Sequence, residues 1–344
     1  MARLSCATLR APPIRTGPPP RSGGPAADGD CRLMHWGFRY LGKHAAQKVL
    51  GGIPSGYRVQ ELVKRATGRS DRFTAADSLR NRLRSKIERF NAAGIEPPGT
   101  VVEQGTGWLG FDLVLFHLAG ARRIVTYDTM PWLRADLLRR NAEVLAGSTD
   151  IVKRWRGTVP GDVEGRAECL RASLDAPLDI LLKRLGVTVR VTRSMDRSEI
   201  GAASVDLFYS DSVLQFVDGR DLRALVREAR RFLKPSGRCF HVVDCRDSQA
   251  QHDRRIPPLA YLAWPEPLWN LLTSRYLNYQ NRWRMAEFVA LFEGAGFRVS
   301  TVNPVARAEE IEYARCRLAR VARFRGMSPE EVATRSFWLT GDMG

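Results

Sequence analysis

Between Val101 and Gly110 the chain reads Val-Val-Glu-Gln-Gly-Thr-Gly-Trp-Leu-Gly, a short apolar strand that runs into a Gly-x-Gly-x-x-Gly turn and then into a helical stretch over residues 109–118. The glycines permit a tight reversal and let a ligand lie against bare backbone. Such a turn belongs at the carboxyl end of a strand, which restricts the chain to folds where strands alternate with helices. The downstream pattern agrees. Strands are expected over 100–103, 123–127, 187–191, 205–209, 239–243 and 297–302, with helices over 132–145 and 220–233. Strands separated by helical patterns imply βαβ units and an α/β, doubly wound, mostly parallel sheet, with ligands at the carboxyl ends of its strands.

Around this core the organisation changes. Residues 1–33 carry Pro12-Pro13, Pro18-Pro19-Pro20 and Gly23-Gly24-Pro25 with few aromatics. They read as a disordered tail, or as a stretch upstream of a true start at Met34; the Arg-rich, acid-poor opening also fits a transit peptide. Residues 34–98 read as a helical N-terminal cap in which Leu79, Leu83, Ile87 and Phe90 form one face of an amphipathic helix. Pro97-Pro98-Gly99 closes it. The core domain spans 99–305, with an insert at 250–284 ahead of strand six that is rich in aromatics (Tyr261, Trp264, Trp269, Tyr276, Tyr279 and Trp283). That insert reads as a helical lid, as an acceptor cover, or as both. Residues 306–344 read as a helical extension with a capped helix start at Ser328-Pro329-Glu330-Glu331 and an edge strand at residues 337–339.

A net charge of +17 and a pI near 10.2 invite a nucleic-acid reading. Arg dominates Lys, however, and the cations are spread along the chain, so RNA stays the alternative partner. No apolar run approaches the roughly 20 residues a membrane span needs, and a cytoplasmic location is expected. The six cysteines form no Cys-x-x-Cys pair and meet no His at zinc spacing, so neither a metal nor a redox motif is expected. Nothing in the sequence speaks to oligomeric state.

Two carboxylates accompany the glycine turn. Glu103, two residues before Gly105, suits a ligand bearing an ammonium group and would repel a pyrophosphate. Asp128, at the end of the second strand, suits the two hydroxyls of a ribose. The same glycines and ribose acid also occur in nicotinamide-binding domains, so these residues alone indicate a nucleoside of some kind.

Four motifs in order carry a resemblance. Residues 101–110 resemble the first motif of the class I S-adenosylmethionine (SAM)-dependent methyltransferases. Residues 205–217, Val-Asp-Leu-Phe-Tyr-Ser-Asp-Ser-Val-Leu-Gln-Phe-Val, are similar to the fourth-strand motif of that superfamily. Phe232-Leu233-Lys234-Pro235-Ser236-Gly237-Arg238 resembles its Leu-Lys-Pro-Gly-Gly turn, and Ala295-Gly296-Phe297 its lead-in to strand six. Glu103-x-Gly105-Thr106-Gly107-Trp108, with 241–244 and 281–284, is similar to uncharacterised bacterial methyltransferases, some linked to polysaccharide synthesis. The resemblance spans about residues 99–305. It implies a seven-stranded Rossmann-like fold with SAM as cofactor. Glu103, Gly105, Thr106 and Gly107 would lie along its methionine end, Asp128 at the ribose and Met195-Asp196 at the adenine. Ser210, Asp211 and Ser212 would face the methyl group and acceptor.

An oxygen acceptor also needs a base. His241, Asp244, Asp247 and His252 cluster after strand five. Asp244, His241 and Asp211 are the catalytic candidates; a hydrogen-bonded core histidine is the other reading of His241. Read as metal ligands, the four would support a divalent cation and a catechol-like acceptor. Asn281, Arg282 and Arg284 would orient an anionic or hydroxylated acceptor, or form structural salt bridges. The expected activity is methyl transfer to a small-molecule or glycan hydroxyl. An RNA-directed enzyme or a non-catalytic SAM-binding subunit are the alternatives, and the absence of an Asn/Asp-Pro-Pro-Tyr-like tetrapeptide at 210–213 weighs against base methylation.

Overall fold

The computed structural model describes residues 29–53, 56, 58–59, 62, 74–192, 199–251, 253–273 and 279–344. Residues 1–28, Met195, Asp196, His252 and Tyr276 therefore lie outside the described residues.

One seven-stranded sheet organises the chain, in the order β3-β2-β1-β4-β5-β7-β6. Its strands are β1 (Thr100–Gln104), β2 (Arg123–Asp128), β3 (Val187–Val191), β4 (Val205–Asp211), β5 (Leu233–Asp244), β6 (Phe297–Val305) and β7 (Ser336–Met343). β1 through β5 pair in parallel; β7 runs antiparallel to both β5 and β6. This is the doubly wound, mostly parallel seven-stranded fold expected from the motifs. The chain runs outward from β1 through β2 to β3 and then crosses back to β4 on the other side of β1, so the strand order reverses at β1 and a crevice opens at the carboxyl ends there.

The first helices are α1 (Gly29–Gly52) and α2 (Ala76–Ala92), the latter burying the expected face Leu79, Leu83, Ile87 and Phe90. After β1 comes α3 (Phe111–Ala119), so apolar that every residue in it is buried, and after β2 comes α4 (Ala135–Ala146). Two further helices before β3, α5 (Pro160–Arg171) and α6 (Leu178–Arg184), have no counterpart in the sequence reading. α5 buries only Val163, Ala167 and Leu170, and glycines at 161 and 165 dilute its periodicity. Helices α2 to α6 cover one face of the sheet. The other face packs against α7 (Gly219–Phe232) and α9 (Met285–Gly294), with α8 (Glu266–Leu272) in the insert between β5 and β6. Short helices α10 (Ala308–Tyr313) and α11 (Pro329–Ala333) precede β7. Ser328 caps the start of α11 as expected, and the structure adds that the cap is reciprocal: Ser328 Oγ accepts from Glu331 N (3.2 Å) and Glu331 Oε2 from Ser328 N (2.7 Å).

Two features differ from the sequence expectation. The terminal strand is not at an edge: β7 sits between β5 and β6, so the core sheet extends beyond residue 305. Its polar end misleads. Thr340 Oγ1 donates to Ser300 O (3.1 Å), and a Cβ on Gly341 would lie 2.8 Å from Cys239 Sγ, so small and polar residues are what this interior position accommodates. The expected N-terminal cap also divides. α2 joins the sheet's core, whereas Tyr40 of α1 packs with Ile256, Tyr261, Trp269, Leu318, Phe324 and Val332 in a separate cluster. The α1 helix, the insert and the C-terminal helices thus form a single small layer assembled from three distant segments. No helix among the described residues is long and apolar enough to cross a membrane.

Because Leu339 is fully buried in the middle of the sheet, Leu339→Ala is expected to lower unfolding free energy by about 2–5 kcal/mol. Urea denaturation followed by circular dichroism measures this directly.

Candidate functional site

The glycine turn leaves the carboxyl end of β1 and is tied to β2 by its own backbone. Gly105 N donates to Tyr127 O (2.6 Å) and Gly107 N to Asp128 Oδ2 (3.1 Å). Gly105, Gly107 and Gly110 all have positive φ (94°, 62° and 57°), a region that disfavours side chains. Their surroundings differ. A Cβ on Gly107 would meet nothing within 4 Å, which leaves that backbone open to a ligand; a Cβ on Gly105 would fall 2.3 Å from Val213 Cγ2. Gly105 therefore lets the loop after β4 dock against the turn, whereas Gly107 is the glycine that offers bare backbone to a ligand.

Glu103 is buried, and Thr126 Oγ1 donates to its Oε2 (2.7 Å); Thr106 Oγ1, 2.7 Å from Thr126 Oγ1, completes a short hydroxyl relay onto the carboxylate. Burial, reinforced by the nearby Asp112 charge, raises Glu103 to about 8. Asp128 accepts from Gly107 N and from Met130 N (3.2 Å); burial raises it, and those backbone donors oppose the shift. Beyond β4, Asp211 lies beside Lys86, whose Nζ is 2.5 Å from Asp211 Oδ2, 2.7 Å from Tyr209 Oη and 2.8 Å from Asp112 Oδ1. Burial alone would raise Asp211, but the Lys86 ammonium and Arg82 overcome it and hold this carboxyl well below the usual range.

Ser212, which follows, has φ 61°, a strained region for a serine, and its Oγ donates to Asp211 Oδ1 (2.8 Å). The turn after it is clamped by the insert: Asn281 Nδ2 donates to Leu214 O (2.8 Å) and Val217 O (2.9 Å). A cleft of about 60 Å³ opens there, lined by Gln104, Thr129, Phe216, Val217, Asp218, Asp221 and Tyr279.

Of the predicted cofactor residues, Glu103, Gly105, Thr106, Gly107 and Asp128 come together at the crevice. Ser210 does not. It is buried on the face packed by α9, its Oγ 2.8 Å from His241 Nδ1. His241 is fully buried between Phe208 and Phe292, and burial lowers it to about 3. The catalytic reading of His241 gives way to the core one, because period-two alternation along β5 turns the ring away from Asp244. Asp244 stays at the strand's end, but Arg246 grips both its oxygens (2.5–3.2 Å). Asp247 accepts from Tyr40 Oη (2.7 Å) and anchors α1; burial raises it to about 6. Arg284 is fully buried, donating to Cys245 O (3.3 Å) and Tyr261 Oη (3.1 Å), while Arg282 reaches Leu262 O. Both arginines hold the insert together, the structural one of the two roles expected for them. Among the described residues no group of three or more His, Cys, Asp or Glu could hold a metal ion.

The sequence reading missed Lys86, Gln104, Thr129 and Phe216. Lys86 had a signal: it stands on the stripe Leu83, Ile87, Phe90, where a cation has no business unless carboxylates await it.

Residues 170–241, from the end of α5 into β5, match the family described as "Methyltransferase domain". No curated protein matches the sequence. Among solved structures, the chain is similar to one in the complex between the Trm112 methyltransferase activator of Haloferax volcanii and a methyltransferase (17% identity, covering 83% of this chain and 95% of that one, TM-score 0.41). It is also similar to an S-adenosylmethionine-dependent methyltransferase from Mesorhizobium loti (14%, 78% and 97%, 0.38). A third is the geranyl diphosphate C-methyltransferase of Streptomyces coelicolor A3(2) with Mg2+, geranyl diphosphate and S-adenosyl-L-homocysteine (15%, 72% and 75%, 0.36). The domain match over residues 170–241 and the seven-stranded sheet agree with the methyltransferase resemblance that the sequence motifs carry.

The packing at Gly105 generates an expectation. Gly105→Ala should destabilise the fold by about 1–3 kcal/mol through overpacking and strain. Adding Val213→Ala should recover the steric part, as read from paired melting curves.

Proposed function

We propose that this protein transfers the methyl group of S-adenosylmethionine to a hydroxyl of a small molecule. One observation carries the reading: Glu103, Asp112, Asp128 and Asp211 gather at the carboxyl ends of β1, β2 and β4 with Lys86 as the cation bonded among them. Such a field suits a cationic ligand, and a dinucleotide's pyrophosphate would be repelled. Glu103 would hold the ammonium of the cofactor, Asp128 the ribose hydroxyls, and Gly107 the approach of the chain between them. Bound there, the cofactor supplies a methyl carbon on a positively charged sulfur.

The protein's own part is chiefly orientation. Transfer is an in-line displacement, so holding the acceptor oxygen on the carbon–sulfur axis supplies much of the rate. The cleft beside Gln104, Thr129, Phe216 and Tyr279 offers aromatic side chains against which an apolar or planar part of an acceptor would lie. Asp218 and Asp221 line that cleft. Asp211, fixed by Lys86 and Ser212, and Asp244, fixed by Arg246, stand at the ends of β4 and β5. Each is an ion-paired group that would orient a hydroxyl. The basic composition is compatible with a small acceptor, since many arginines cap backbone carbonyls: Arg166 donates to His117 O, Gly120 O and Ala121 O at the end of α3, and Arg139 to Leu174 O and Ala176 O.

Glu103 gives the test. Below its raised value of about 8 the free carboxyl holds a proton, and engaging an ammonium favours its ionised form. Cofactor binding at pH 6–7 should therefore release about one proton, and affinity should climb with pH toward 8. Calorimetry in buffers of different ionisation heat reads the proton; Glu103→Gln should abolish its release, and Asp128→Ala should weaken binding with the release retained. A wild-type protein that gives no heat with S-adenosylmethionine or S-adenosylhomocysteine refutes the function.

A further inference from the structure

We infer that Lys86, carried by α2 ahead of the cofactor-binding domain, is a positioning residue of the methyl-transfer site, setting the charge presented to the sulfur by fixing Asp211 and Asp112 as one ion triad. The inference rests on the function proposed above and adds to it a residue outside the region where the family motifs fall.

The geometry is specific. Lys86 Nζ reaches Asp211 Oδ2 at 2.5 Å, Asp112 Oδ1 at 2.8 Å and Tyr209 Oη at 2.7 Å, with its side chain only 4% exposed. Three elements thus meet at one ammonium: α2, the first turn of α3 that issues from the glycine loop, and the end of β4. A buried lysine with such partners cannot be lost without leaving carboxylates uncompensated. Among the described residues the groups acting on Asp211 are Lys86 and Arg82 from α2 and the Ser212 hydroxyl, which donates to its other oxygen, while Asp112 from α3 and Tyr209 from β4 share the same ammonium. Arg82 itself lies over the Phe111 ring, 5.0 Å from its centroid. Two carboxylates against one ammonium leave the triad with a single negative charge, the sign that favours a sulfonium over a neutral thioether.

The comparison of S-adenosylmethionine with S-adenosylhomocysteine isolates this effect. Both carry the same ammonium, ribose and adenine, so the ratio of their affinities cancels Glu103 and Asp128 and reports the charge near the sulfur. Calorimetric affinities from pH 5 to 9 should give a flat ratio in the wild type. In Lys86→Met, Asp112 and Asp211 must share a buried place without a cation, so one takes up a proton near neutrality. The ratio should then rise with pH, by about tenfold across the range. Lys86→Arg should restore the flat profile, which simple loss of packing would not predict. Should Lys86→Met fail to fold, Asp211→Asn carries the test: its ratio should fall about tenfold and stay independent of pH. A ratio unchanged in Lys86→Met, or in Asp211→Asn, overturns the inference. Absence of binding by the wild type to either nucleoside is a different result and overturns the proposed function instead.

Discussion

Everything at the crevice depends on keeping several carboxylates charged or chargeable out of water. An isolated buried carboxylate is costly, and in most proteins it takes up a proton or acquires a partner. Here each is handled differently. Asp211 and Asp112 share the Lys86 ammonium, Asp128 accepts two backbone N–H groups from flanking turns, and Glu103 relies on a threonine hydroxyl and sits in its raised, protonatable range. The unequal treatment is informative. Three are balanced from within the fold, and Glu103 is balanced least, the feature on which the proposed ammonium contact rests.

Much of the framework was legible because it rests on local periodicity. The six strands through β6 and the helices after β2 and β4 follow from apolar runs bounded by turn residues, and the glycine turn with Asp128 marks the crevice. What the sequence hid were the matters of facing and pairing. His241 and Ser210 lie in motif-bearing segments, yet alternation along β4 and β5 sends both into the core, where they bond to each other. Asp244 was rightly placed at a strand end, but only coordinates reveal Arg246 closing on it. Lys86 stands far from the glycine turn in the chain, so its union with Asp211 is a product of tertiary packing. Met195 and Asp196 fall outside the described residues and stay where the resemblance left them.

The layer formed by α1, the insert and the C-terminal helices shows how buried arginines and tyrosines can do what a second core would do in a larger domain. Tyr40 ties α1 to Asp247, Tyr261 reaches Cys245 O (2.9 Å), and Arg284 links Cys245, Tyr261 and Thr334. Through Asn281 the same layer grips the turn after β4, whose Val213 rests on Gly105. Displacement of the insert would therefore be felt at the glycine turn through two contacts.

The place of β7 bears on how this molecule is made. On a ribosome, β5 and β6 emerge before the strand that joins them, so each spends the interval with an unsatisfied row of backbone donors and acceptors. A nascent chain in that condition invites pairing with a neighbour on the same message. The parallel half of the sheet can gather early, but the antiparallel half must wait for residues 336–343.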